Sequence, residues 1–115
     1  MAEYHHIIIG TGQATGTLLG KLIQTGDSIA VIEGGKVGGS CVNYGCTPTK
    51  AMVASAKAIF QAKRGEHFGF KTGPVEIDYQ QVRKRMNGIR NGNSDGFAQW
   101  MEDTENVTLI WEWAS

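Results

Sequence analysis

Short apolar runs early in the chain are punctuated by glycine, and longer amphipathic stretches follow. Tyr4-His5-His6-Ile7-Ile8-Ile9 ends at Gly10 and predicts a buried strand, since parallel strands are covered on both faces and need not alternate strictly. The apolar spacing of Leu18-Leu19-Gly20-Lys21-Leu22-Ile23 predicts a helix on that sheet, and Ser28-Ile29-Ala30-Val31-Ile32 predicts the next strand. Alanine-rich Ala51 to Ala62 predicts a second helix. Arg64 to Val75 is a polar, glycine-bearing connection with a turn at Gly73-Pro74.

Asp78 is a suitable N-cap for a helix reaching about Met101, with Tyr79, Val82, Met86, Ile89, Phe97 and Trp100 roughly on one side. Gly88, Gly92 and Gly96 recur every four residues, and each costs about 1 kcal/mol relative to alanine in a helix interior. Two arrangements accommodate them: close packing over the glycine face, or a break into two helices around Asn91 to Asp95. The chain closes with a predicted strand from Val107 to Trp113, placing Leu109, Trp111 and Trp113 on one face and Ile110 and Glu112 on the other. Alternating strands and helices predict an α/β, Rossmann-like fold with a parallel sheet and flanking helices.

The 115 residues suffice for one small domain burying about two-thirds of its extended surface. Net charge is zero, which favours neither nucleic acid nor an anionic membrane, and Arg83-Lys84-Arg85 reads as a solvated face. No apolar run approaches the roughly 18 residues of a membrane span, and no signal-peptide pattern opens the chain, so a cytoplasmic location is the default expectation.

Strand, glycine turn and helix occur in the order of a dinucleotide-binding unit. In Gly10-Thr11-Gly12-Gln13-Ala14-Thr15-Gly16, Gly10 makes the tight turn and Gly12 lets the backbone approach a pyrophosphate at the helix N-terminus. Glu33 ends the second strand about twenty residues on, where a carboxylate meets ribose hydroxyls. The third fingerprint position is Thr15 instead of glycine. Either this β-branched residue is tolerated or the turn is one residue longer and ends at Gly16.

Cys41 and Cys46, the only cysteines, lie in Gly38-Gly39-Ser40-Cys41-Val42-Asn43-Tyr44-Gly45-Cys46-Thr47-Pro48-Thr49-Lys50. Residues five apart in a regular helix have Cα atoms roughly 8.6 Å apart, beyond the span of about 4.4 to 6.8 Å that a disulfide bridges. The segment is therefore irregular, which Gly45 would allow, or the thiols are reduced or otherwise engaged. A bridge closing so short a loop contributes only about 2 kcal/mol, which favours chemistry over stapling. A small structural disulfide and two inert thiols are the alternatives. His5, His6 and His67 lack ligand spacing to the cysteines, so no metal site is expected.

These motifs resemble the flavin-dependent pyridine nucleotide-disulfide oxidoreductases, the family of dihydrolipoyl dehydrogenase, glutathione reductase and mercuric reductase. The resemblance is strongest from Val31 to Ala54; Phe68-Gly69-Phe70 and Asn106 to Ile110 extend it toward the dihydrolipoyl dehydrogenase and mercuric reductase branch. It implies FAD, with Gly10, Gly12, Gln13, Ala14, Glu33 and Gly34 around the ADP part, and Gly38, Gly39 and Ser40 around the remainder. Ser40 stands where the family usually has threonine, with the hydroxyl kept. By the same resemblance Cys46 is the cysteine against the flavin, forming the charge-transfer thiolate, and Cys41 is the interchange cysteine that attacks substrate. Lys50 would lie near flavin and thiolate, where its cation stabilises negative charge. The implied reaction relays two electrons between NAD(P)H, FAD, a Cys41–Cys46 disulfide and a dithiol, disulfide or metal-ion substrate.

Family members are roughly four times longer. Residues 1–115 therefore correspond to the N-terminal part of the FAD-binding domain, with the redox segment at 38–50 and without NAD(P)H-binding and dimerisation domains, and turnover by this chain alone is not expected. The alternative is a freestanding nucleotide-binding or interaction module of the same fold. A second copy or a partner chain would then cover the tryptophans at Trp111 and Trp113.

Overall fold

The computed structural model describes residues 2–115. Three parallel strands, β1 (His6–Ile9), β2 (Ile29–Ile32) and β3 (Val107–Ile110), form a sheet in the order β1-β2-β3. In register, Ile8 lies beside Val31 and Val31 beside Leu109. The first crossover carries α1 (Gln13–Leu22) and a 3₁₀ turn at Ile23–Thr25. The second carries α2 (Gly39–Asn43), α3 (Cys46–Lys63), a 3₁₀ turn at Gly65–Phe68, and α4 (Tyr79–Asp103).

Period-two alternation separates the two faces of the sheet. Ile29, Val31 and Val107 are buried against Leu19 of α1, Val37 and Met101 of α4, with Ile8 and Leu109 partly buried beside them. The opposite face is less well covered than the apolar run of β1 predicts. Ile7 is 61% and Ile9 71% exposed, because the helices that form the core cluster pack on the other side. At the start of the sheet, Asn106 Nδ2 donates to the carbonyls of Ile23 and Asp27, joining the entrance of β3 to the approach to β2. His5 and His6 bond Ser28 and Asp27 at the same end.

The molecule is elongated, 66 × 26 × 19 Å, because α3 and α4 pack as a long hairpin. Asp78 caps α4 as expected, accepting from the Gln81 amide at 3.1 Å. No break interrupts α4 at Asn91 to Asp95. A Cβ at Gly88, Gly92 or Gly96 would meet nothing within 4 Å, so close packing does not explain the glycine stripe. Tyr79, Ile89 and Trp100 are exposed, whereas Val82, Met86, Ser94, Phe97, Ala98 and Met101 turn inward. The apolar side of α4 thus follows its contacts with α3 and the sheet more narrowly than the hydrophobic pattern suggests. No helix among the described residues is long and apolar enough to cross a membrane.

Candidate functional site

The carboxyl ends of parallel strands open the crevice where α/β folds bind ligands. At this edge the Gly10 amide donates to the Ile32 carbonyl at 2.7 Å, setting the glycine turn beside the end of β2. Thr15 is buried at the third fingerprint position, and its hydroxyl donates to the Gly10 carbonyl at 2.9 Å. The β-branched residue is therefore accommodated by closing the turn on itself. Gly16 instead faces Phe97, 3.8 Å from where its Cβ would stand. Gln13 and Ala14 form the exposed first turn of α1, which has neither a side-chain cap nor an acidic residue.

Glu33 is tied into this turn. Its Oε2 accepts from the Thr11 amide at 3.0 Å and from the Thr11 hydroxyl, and its Oε1 accepts from the Gly35 amide at 2.8 Å. The Thr11 oxygen also accepts from the Gly38 amide at 3.0 Å, and Thr11 is only 1% exposed. One hydroxyl thus joins the glycine turn, the end of β2 and the loop entering the cysteine segment. Gly39, at φ +68°, brings that loop so close that its Cβ would be 2.9 Å from Gly12 Cα. Any side chain there would clash and strain a left-handed backbone. A cleft of about 230 Å³ lies between these turns, lined by Thr11, Gly12, Gln13, Gly16, Gly38, Val42 and Phe97.

The cysteine segment is irregular and its thiols are also unpaired, so both of the arrangements that the spacing allows are present. α2 ends at Asn43, and α3 starts at Cys46, so the two cysteines lie on different helices. Gly45 lets these helices converge, since a Cβ would lie 3.3 Å from Cys41 Cα and 3.2 Å from the Ser40 carbonyl oxygen. Both cysteines are thiols, Cys41 half-buried and Cys46 exposed. The side-chain hydrogen bond to Cys46 pushes the Cys41 thiol above its ordinary pKa, with desolvation and the Cys46 charge acting in the same direction; the Cys46 backbone and, more weakly, Lys50 pull it down. Lys50 stands on the exposed face of α3 one turn after Cys46, and Ser40 is exposed on the first turn of α2.

Asn43, which the cysteine motif contains without assigning it a role, and Ser94, which carries no sequence signal, hold this segment. Asn43, 2% exposed, donates through Nδ2 to the carbonyls of Val37 at 3.0 Å and Gly39 at 2.9 Å. Ser94 donates to the same Val37 carbonyl at 2.6 Å, anchoring α4. Thr11 sits in plain view between the fingerprint glycines, yet its role depends on where Gly38 passes in three dimensions. Trp113 also departs from expectation. β3 stops at Ile110, the chain bends at Glu112, and the Trp113 ring comes back against Gly34. No group of three or more metal-ligating side chains occurs among the described residues.

The family model described as pyridine nucleotide-disulphide oxidoreductase matches residues 4–110. Dihydrolipoyl dehydrogenase of Acholeplasma laidlawii is 36% identical over 97 residues, covering 84% of this chain and 29% of the relative. Mercuric reductase of Lysinibacillus sphaericus is 37% identical over 93 residues, covering 77% of this chain and 17% of the relative. Among solved structures, the Cu(II) complex of the HOCl-induced flavoprotein disulfide reductase RclA from Escherichia coli, as a cysteine-to-serine mutant, superposes with a TM-score of 0.75. It is 28% identical, and the match covers 96% of this chain and 22% of that one. The chain therefore spans less than a third of the length of these relatives.

Proposed function

The chain belongs to the pyridine nucleotide-disulphide oxidoreductase family, and from that premise we propose that it is the FAD-binding, redox-cysteine portion of such an oxidoreductase. The observation that carries this reading is the Thr11 hydroxyl, which joins Glu33 to Gly38 and so brings the nucleotide turn against the segment leading to Cys41 and Cys46. The residues fit the cofactor. Bare backbone at Gly10 and Gly12, where a Cβ would meet nothing within 4 Å, suits a pyrophosphate, and the uncapped start of α1 at Gln13 and Ala14 supplies amide donors and a favourable dipole. Glu33 would take the ribose hydroxyls beside Gly34; Gly38, Gly39 and Ser40 would border the rest; Cys46 and Lys50 would stand at the flavin end.

When bound, FAD supplies two-electron exchange with the cysteine pair, with NAD(P)H as the other redox partner in a full-length family member. The chain's own sulfurs carry the substrate step. The Cys41 sulfur, once deprotonated, attacks one sulfur of a substrate disulfide and releases the other as a thiolate, which takes a proton. The Cys46 thiolate then attacks the Cys41 sulfur of the mixed disulfide and expels the second thiolate, which is also protonated. The substrate gains two electrons and the pair becomes a disulfide. A dihydrolipoyl substrate runs the sequence backwards, and a metal ion bound by the two thiolates is the other acceptor class, in keeping with the mercuric and Cu(II) relatives. The Cys46 backbone and, more weakly, Lys50 counter the upward shift of Cys41 and favour thiolate formation. His5 and His6 sit at the opposite end of the sheet, so neither serves as base at the cysteines.

The test is a visible spectrum of the purified chain after FAD addition and gel filtration, then after anaerobic dithionite. Retained flavin near one equivalent, with a long-wavelength band on reduction that Cys46→Ser abolishes, is the expected result. A folded chain that never retains FAD would leave a non-catalytic module as the reading.

A further inference from the structure

A Cβ placed on Gly34 would lie 2.7 Å from both Cγ and Cε2 of Trp113 and nearer still to Cδ2. Three ring atoms at nearly one distance mean that the Gly34 Cα faces the ring, so the indole lies flat across the glycine. Trp113 is nonetheless 82% exposed, which leaves its other face open to solvent. Gly34 directly follows Glu33, whose amide donates to the Ile110 carbonyl at 2.9 Å. This bond holds the last residue of β3 beside the end of β2, and the three residues after it carry the ring to Gly34.

We propose that the open face of Trp113 is the shelf on which the adenine base of a bound adenine nucleotide stacks. The inference rests on the FAD reading and assigns to that site a recognition residue which the glycine fingerprint does not contain. Ribose hydroxyls held on Glu33 would put the base one residue from Gly34, against which the Trp113 ring lies. A neutral, flat, polarisable surface suits an uncharged purine, and stacking needs no hydrogen-bond partner from the protein. The absence of a side chain at residue 34 allows the indole to lie down; a larger residue would lift it away. The open face is thus the specificity element of the subsite: it favours a purine nucleotide over the same phosphates without a base.

Calorimetric titration with ADP and with FAD tests this on the whole chain. Trp113→Ala weakens both by about 5- to 150-fold, the range of one base–aromatic stack, whereas Trp113→Phe keeps affinity within about fivefold. Gly34→Ala, which displaces the ring without removing it, reproduces the loss, and adding Trp113→Ala to it costs little more. Circular dichroism confirms folding of each variant. In a Trp100→Phe/Trp111→Phe background, ADP quenches the remaining indole fluorescence. Unchanged affinity in Trp113→Ala, with wild-type FAD binding intact, overturns the shelf alone, and tighter binding would mean that the indole occupies the place of the base. Loss of self-association in Trp113→Ala with nucleotide affinity unchanged would assign the ring to a chain–chain contact and also overturn it. A wild-type chain that binds neither ADP nor FAD overturns the cofactor reading and the shelf together.

Discussion

Replacing Thr11 with valine removes one hydroxyl while keeping shape and volume, so no cavity contributes to the cost. Two interactions disappear: the donation to Glu33 Oε2 and the acceptance from the Gly38 amide. Glu33 keeps the Thr11 and Gly35 amides, and its carboxylate is not orphaned. Gly38 is different, because it is buried and Thr11 is the acceptor of its amide. An unsatisfied buried donor costs about 1–3 kcal/mol, and loss of a bond to a charged group about 1 kcal/mol more where other donors remain. The total is about 2–4 kcal/mol, which lowers the melting temperature by roughly 8–16 °C in a domain of this size. Thermal and urea unfolding of Thr11→Val and Thr11→Ser measure it. The serine variant regains most of the loss. A drop under about 1 kcal/mol for valine, or equal losses for the two variants, would refute the role of the hydroxyl.

Other perturbations have different signs. Gly92→Ala stabilises the chain by about 0.5–1 kcal/mol in urea unfolding, since the new Cβ enters open space in an unbroken helix. Gly45→Ala pushes the start of α3 from Cys41, and thiol titration after mild oxidation then shows slower and less complete pairing of Cys41 with Cys46. The Asp27 carboxyl is held below its ordinary pKa, chiefly by the hydrogen bond to His6. Its folded value being lower than its unfolded one, the stabilisation is present above about pH 4 and is lost as pH falls through the folded value. Asp27→Ala is therefore less stable than wild type at pH 7, and the difference closes on acidification below pH 4.

The elements legible in the sequence are those that local patterning decides. Apolar runs ending at glycine or at Glu33 mark β1 and β2, Asp78 marks the start of α4, and the spacing of Cys41 and Cys46 rules out a disulfide within a single regular helix. Burial depends on tertiary context: the apolar run of β1 predicts a strand covered on both faces, yet Ile7 and Ile9 are exposed because the helices of the core cluster pack on the other side. The glycines of α4 suggest close packing or a break, and the structure has neither. The continuation of β3 to Trp113 is a pattern of alternation that the bend at Glu112 ends. Thr11, Asn43 and Ser94 hold the site through backbone groups 4 to 57 residues away, and apart from the Asn43 bond to Gly39 no local pattern encodes the pairing.

α3 begins on Cys46 itself and runs for 18 residues to Lys63, near the aromatic 3₁₀ turn. At 1.5 Å per residue that is a rod of about 27 Å with the sulfur at its root. Cys41 stands on α2, on the far side of Gly45, so the two thiols belong to separate helices and the gap between them is set by how α2 seats against the root of α3. Arg85, reaching from α4 to the Ala51 carbonyl at 3.0 Å, ties the hairpin together close to that root.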